Sequence, residues 1–210
     1  MSRGSPELTA ARKEEIIAAC AELYESMSFR EITIKEIGAA TSFTRTSIYN
    51  YFETKEEIFL ALLQKEYELW AETMDAVTAD QSSMTRDELA QTIARTLTDR
   101  PRLLRLLSMN LYDMEANSSP ERLAEFKEAF GASLNAVGHM VKKYVPEMDE
   151  AARQQFLYAF FPFIYGIYPY TSVTEKQKTA MEQAGVPYVY HSAYELTYTC
   201  LKKLLGVTDE

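Results

Sequence analysis

Apolar residues recur every three or four positions along almost the whole chain, and no stretch alternates apolar with polar residues. That spacing lines one stripe of an α-helix, whereas a half-buried strand needs a period of two. Ile16, Cys20, Leu23 and Met27 mark the first stripe, behind start signals at Pro6 and Thr9. A short second helix is predicted from about Thr33, with Ile34 and Ile37 inward. A turn at Thr41, Ser42 and Phe43 then leads to a brief third helix capped by Thr44. Thr54 with Glu57 three positions on has the form of a capping box for a fourth helix over about 54–78. Ile58, Leu62 and Leu69 give that helix its stripe, widened by Phe59, Leu63 and Trp70.

Further breaks fall at "ADQSS", Asp99-Arg100-Pro101, "NSSPE", Pro146, "TSVTEK" and "AGVP". The expected fold is all-α with nine or ten helices. Residues 1–55 form a three-helix unit with a helix-turn-helix, helix four leads on, and residues 56–210 form a larger helical bundle. With 210 residues, 47% of them hydrophobic, the chain has the material for a sizeable core. Cys20 and Cys200 sit in apolar helical patterns and read as small buried hydrophobes in a reducing compartment. The start of the chain lacks the pattern of a secretory leader, and no apolar run approaches a bilayer span. The expected location is the cytoplasm, with no membrane partner.

The stretch "TSFTRTSIYNYF", Thr41 to Phe52, carries five Ser and Thr hydroxyls, one arginine and four aromatics, and no acid. Its setting is acidic, with a formal net charge of −9. Residues 1–55 hold 7 Lys+Arg against 8 Asp+Glu, so most of the acidity lies in the remainder, with 15 against 23. Indiscriminate nucleic-acid binding, which requires a carpet of basic side chains, is thereby disfavoured. Two short helices joined by a tight turn can still place the second in a DNA major groove. Thr44 to Asn50 spans about 10 Å of helix, enough to reach a few base pairs. Ile48 and Phe43 are expected to face inward. Arg45 can bond guanine O6 and N7, and the Thr46 methyl can rest on a thymine methyl. Thr33, Thr44, Ser47, Tyr49, Tyr51 and Lys55 suit phosphates, with Asn50 at the helix edge. A polar turn between two amphipathic helices, with Tyr49, Tyr51 and Phe52 as core aromatics, fits the same periodicity.

"ITIKEIGAATSFTRTSIYNYFETKEEIFLALL" resembles the N-terminal domain of the TetR family of bacterial transcription repressors. The likeness is carried by Ile37, Gly38, the turn, Thr44, Ser47-Ile48-Tyr49, Tyr51-Phe52 and Lys55, and with the first helix it covers about residues 9–65. The resemblance implies a homodimer that represses transcription at a near-palindromic double-stranded DNA operator. It also implies a C-terminal helical domain that dimerises and binds a small-molecule inducer. Three positions depart from the family pattern, with Ser28, Ser42 and Thr46 standing where glycine is common. A left-handed Ser42 would cost roughly 1 kcal/mol or more.

Downstream, "MNLYDMEANSSPE" and "FLYAFFPFIYGIYPY" are dense in Met, Phe and Tyr, side chains that can line an adaptable pocket for an apolar or aromatic ligand. The candidates are Met109, Tyr112, Asp113, Phe130, Leu134, Tyr158, Phe161 and Tyr165, with Asp113 as the charged group able to orient a polar end. Pro162 and Pro169 should interrupt helical hydrogen bonding in the second segment. Phe163, Ile167, Tyr194, Tyr198 and Leu201 are the candidates for a dimer interface. A Met and aromatic stripe at helical spacing is more often core than pocket, and internal core packing is the competing account for the interface candidates as well. His139 and His191 are isolated, and no glycine-rich phosphate loop, nucleophile elbow or metal-ligand spacing is present, so neither an enzyme nor a cofactor is expected. The adjacent acidic pairs Glu14-Glu15, Glu56-Glu57 and Asp149-Glu150 read as solvated charge. The competing reading is an all-α small-molecule-binding or modifying protein whose N-terminal helices are structural only.

Overall fold

The structure, a computed structural model, describes residues 5–42, 44–109 and 111–208. Eleven helices and no strands occur among them: α1 (Pro6–Ser26), α2 (Ile34–Ala39), α3 (Arg45–Ile48), α4 (Lys55–Asp80), α5 (Arg86–Thr98), α6 (Pro101–Leu107), α7 (Leu111–Ala116), α8 (Pro120–Tyr144), α9 (Glu150–Thr171), α10 (Glu175–Gln183) and α11 (Ala193–Leu205). The all-α expectation holds, but the count exceeds nine or ten. The stretch after Pro101 forms two short helices, because α6 ends at Ser108 before the Met- and Tyr-bearing segment starts a new one. Phe43 lies outside the described residues.

The chain divides into two compact units, Met1–Glu66 with Asn110–Phe130, and Tyr67–Met109 with Gly131–Glu210. In the first, Ile16, Cys20 and Tyr24 of α1, Ile37 of α2, Ile48 of α3 and Phe59 of α4 are all buried. Tyr24 and Phe29 both pack edge-on against Phe59, at 5.2 and 4.8 Å between ring centroids. Burial pushes the Cys20 thiol up to about 12, which leaves it an inert hydrophobe.

The second unit is built on Trp70, whose indole N–H donates to Thr96 Oγ1 at 3.2 Å while its ring lies 5.9 Å from Phe161. Tyr67 and Tyr165 share a hydrogen bond between their hydroxyls at 2.9 Å. Helix α11 packs on α5 and α9. It closes at Gly206, whose φ of 66° is a left-handed cap that only glycine takes without strain. Helix α9 runs as one element through Pro162 and Pro169, and both prolines are exposed, so water can reach the carbonyls that lose an N–H partner.

Candidate nucleic-acid interface

A four-residue helix has too few internal hydrogen bonds to persist alone, so α3 depends on its cap and its anchor. Thr44 caps it, accepting the N–H of Ser47 at 3.3 Å, and the Ser47 hydroxyl lies 2.9 Å from that same oxygen. Ile48, 0% exposed, is the anchor. Gly38 of α2 permits the close crossing, since a Cβ there would sit 3.4 Å from the Arg45 Cα and backbone nitrogen and 3.5 Å from Ile48 Cδ1. With one face fixed this way, Arg45, Thr46, Tyr49 and Asn50 are exposed together on the other.

The turn ahead of α3 avoids the strain anticipated at Ser42. No described non-glycine residue has a positive φ, and the Ser42 N–H donates to Glu15 Oε1 at 2.7 Å. That backbone bond, with the Ser42 side chain and Arg12, holds the Glu15 carboxyl below its ordinary value. Glu15 therefore caps the turn, which its adjacency to Glu14 concealed. Ser28 behaves similarly, donating both its N–H and its hydroxyl to Glu31 Oε2 at 2.7 Å.

A shallow groove of about 400 Å³ beside α3 is lined by Thr33, Ile34, Lys35, Arg45, Tyr49 and Lys55. It unites four of the sequence-predicted residues and adds Lys35, an exposed cation that the motif did not single out. Several of the predicted residues are already engaged. Thr33 caps α2, accepting from Lys35 N at 3.2 Å and Glu36 N at 3.4 Å and donating to the Glu36 carboxylate. Lys55 donates to the carbonyls of Phe29 and Ile32 at 2.8 and 3.2 Å and lies 4.0 Å above the Phe29 ring. Two of its three protons therefore tie the α1–α2 connection to α4. The Tyr51 hydroxyl, half-buried, accepts from Arg12 at 3.2 Å.

Glu57 departs furthest from its sequence reading. Far from being solvated, it is 4% exposed, and its carboxylate accepts the N–H of Glu53 at 2.8 Å and that of Ser119 at 2.9 Å. Burial pushes its carboxyl up, but those bonds and Arg122 outweigh it and leave the group below its ordinary value. Only the first half of the expected capping box forms, with Glu57 N–H donating to Thr54 Oγ1 at 3.1 Å.

The ligand candidates do not converge. Tyr112 is 80% exposed, Asp113 is exposed, and Met109 and Phe130 are half-buried. Phe161 and Tyr165 are committed to Trp70 and Tyr67. Leu134 and Tyr158 do meet, in a cleft of about 350 Å³ between α8 and α9 that also presents Leu157, His139, Lys142 and Arg153. Arg153 is tied to the Met148 carbonyl and to Glu150. Among the interface candidates, Ile167 and Leu201 are buried within one subunit, so neither has surface to offer a second copy. Phe163 and Tyr194 are half-buried, and Tyr198 donates to Asp87 Oδ1 at 2.6 Å.

Two family profiles match the chain. One, described as bacterial regulatory proteins of the tetR family, covers residues 16–62, and the other, described as the tetracyclin repressor-like C-terminal domain, covers residues 64–195. No curated protein matches. Among solved structures the fold is similar to that of a protein described as a TetR-family transcriptional regulator from Mesorhizobium loti, with a TM-score of 0.63 and 15% identity over 95% of this chain and 97% of that one. It is also similar to FadR from Thermus thermophilus in complex with lauroyl-CoA, with a TM-score of 0.57 and 20% identity over 94% and 96% of the two chains. FadR from Bacillus subtilis in complex with stearoyl-CoA gives a TM-score of 0.57 and 17% identity over 93% and 99%.

Proposed function

The chain belongs to the TetR family of bacterial regulatory proteins, and on that premise we propose that it is a ligand-responsive repressor that binds a near-palindromic operator as a homodimer and leaves it when a small molecule binds. The observation that carries this reading is the disposition of α3. Ile48 and the Thr44 cap fix one side, and Arg45, Thr46, Tyr49 and Asn50 stand exposed on the other. Arg45 is the residue for guanine, Thr46 for a thymine methyl, and Tyr49, Asn50 and Lys35 for the flanking backbone. Thr33, Thr44, Ser47, Tyr51 and Lys55 serve chiefly by holding α2, α3 and α4 in register, since their polar groups are engaged within the protein.

Dimerisation follows from the target. Two half-sites lie about 34–36 Å apart, so two copies of α3 must be held at that separation. Helix α9 offers exposed Tyr158, Pro162, Gly166 and Tyr170 beside half-buried Phe163, a surface suited to a second copy. The inducer is an apolar or aromatic molecule. The cleft between α8 and α9, with Leu134 and Leu157 beside Lys142 and His139, suits an apolar body with an anionic end. Acyl-CoA thioesters, which the two FadR structures hold, are the first compounds to try. Selection of duplexes from a random pool, followed by competition with lauroyl-CoA and stearoyl-CoA, tests the proposal. A palindromic consensus released by ligand is the expected result, and failure to enrich any duplex would remove the regulatory reading of α3.

A further inference from the structure

The polypeptide leaving α3 is gripped from a distant part of the chain. Tyr51 and Phe52 donate their N–H groups to Ile48 O at 2.9 and 3.1 Å, so the stretch through Glu53 hangs directly from the last turn of α3. Glu53 N–H then donates to Glu57 Oε2 at 2.8 Å, while Glu57 Oε1 takes the N–H of Ser119, 62 residues further on, at 2.9 Å. Thr54 Oγ1 donates to Asn117 O at 2.9 Å, a second tie to the same α7–α8 junction. The Arg122 guanidinium, bonded to Glu125, lies 5.2 Å over the ring of buried Phe52. All of these groups lie within one compact unit. A carboxylate that only capped α4 would sit at the surface and serve its own helix start. This one is buried, and its two oxygens are divided between two backbone segments.

We propose that Glu57 is a positioning residue for DNA reading: its carboxylate latches the exit of α3 to the head of α8, and Arg122, also at the head of α8, packs over Phe52. The α7–α8 junction thereby sets where Arg45 and Tyr49 stand. Removing the latch leaves Ile48 as the chief anchor, so α3 should open more often without the fold being lost. This inference rests on the DNA-reading role of α3, and its test has one arm that needs no DNA.

The test uses the full chain with Glu57→Gln, which replaces one acceptor oxygen by an N–H₂ group facing a backbone donor, and Arg122→Met, which keeps the stem but removes the cation. Hydrogen exchange is followed at Glu53, Ser119 and the α3 amides Ser47 and Ile48, with Ile93 and Leu97 of α5 as internal reference. In Glu57→Gln, exchange should accelerate at Glu53 and Ser119 together, and about tenfold at the α3 amides, with α5 unchanged. Affinity for a duplex selected against the wild-type protein should fall about tenfold as well. Arg122→Met should move the same amides in the same direction by less. Acceleration at Ser119 alone, with α3 exchange and duplex affinity unchanged, would show that Glu57 merely caps α8 and would overturn the proposal. If Glu57→Gln does not fold, Arg122→Met decides, and unaltered α3 exchange in that variant also overturns it. If the wild-type protein selects no duplex, the DNA-reading role fails, while the exchange arm still reports on the latch.

Discussion

Ile48→Ala isolates what holds the recognition helix, and its cost can be worked from the structure. The substitution removes three carbons from a side chain that is 0% exposed. At about 0.8 kcal/mol per buried methylene, transfer alone gives roughly 2.4 kcal/mol. A residual cavity raises large-to-small core changes of this kind to about 2–5 kcal/mol. The wall facing Ile48 Cδ1 is Gly38, which has no side chain to swing into the gap, so relaxation is limited and a loss of about 3 kcal/mol is expected. Helix α3 spans four residues and cannot absorb that loss through its own hydrogen bonds. Urea unfolding followed by circular dichroism measures the loss, and fluorescence anisotropy on a selected duplex measures its consequence for reading. Thr46→Ala, on the exposed face, is the control, and its stability should stay within about 0.5 kcal/mol of wild type. A loss under about 1 kcal/mol for Ile48→Ala, with duplex affinity unchanged, would refute the view that burial of this side chain orients α3.

Arg45→Ala should weaken binding to the selected duplex by about 1–3 kcal/mol and relax specificity at one base pair, with helical content unchanged by circular dichroism. Among the described residues the exposed cations beside α3 are Lys35 and Arg45, so the proposed dimer, neutralising about four phosphates, should show a slope of log K against log salt near −3.6. A slope steeper than about −7 would mean a larger basic surface takes part. Acid should loosen the N-terminal unit. The carboxyls of Glu15 and Glu57 are lowered from 4.5 on folding, so their contribution is fully present above that value and is lost as pH falls through their depressed folded-state pKa. Unfolding of Glu57→Gln should respond less to acid over the same range. Gly138→Phe should fill the cleft between α8 and α9 and abolish the proposed release from DNA by acyl-CoA, whereas Gly138→Ala, whose Cβ would meet Leu157 Cδ1 at an ordinary 3.5 Å, should be tolerated.

The parts of the fold that could be read in advance are those fixed by neighbours in sequence. Thr44 capping α3 and Ile48 facing inward are consequences of a local period, and both stand in the structure. What escaped the sequence is fixed by residues far away. Glu57 looks like a surface capping acid because nothing near it announces that Ser119 will close over it. Lys55 and Tyr51 fit a phosphate-contact pattern by type, yet the carbonyls of Phe29 and Ile32 and the guanidinium of Arg12 occupy them. The aromatic segment of α9 was illegible for a different reason. It is apolar around most of its circumference, so periodicity cannot separate Phe161, sealed against Trp70, from Tyr158, 66% exposed at the cleft. A helix of that composition carries its division between core, cleft and partner surface in its packing neighbours. Locating the ligand therefore depends on filling the cleft and watching the DNA, because the same residue types would serve any of the three roles.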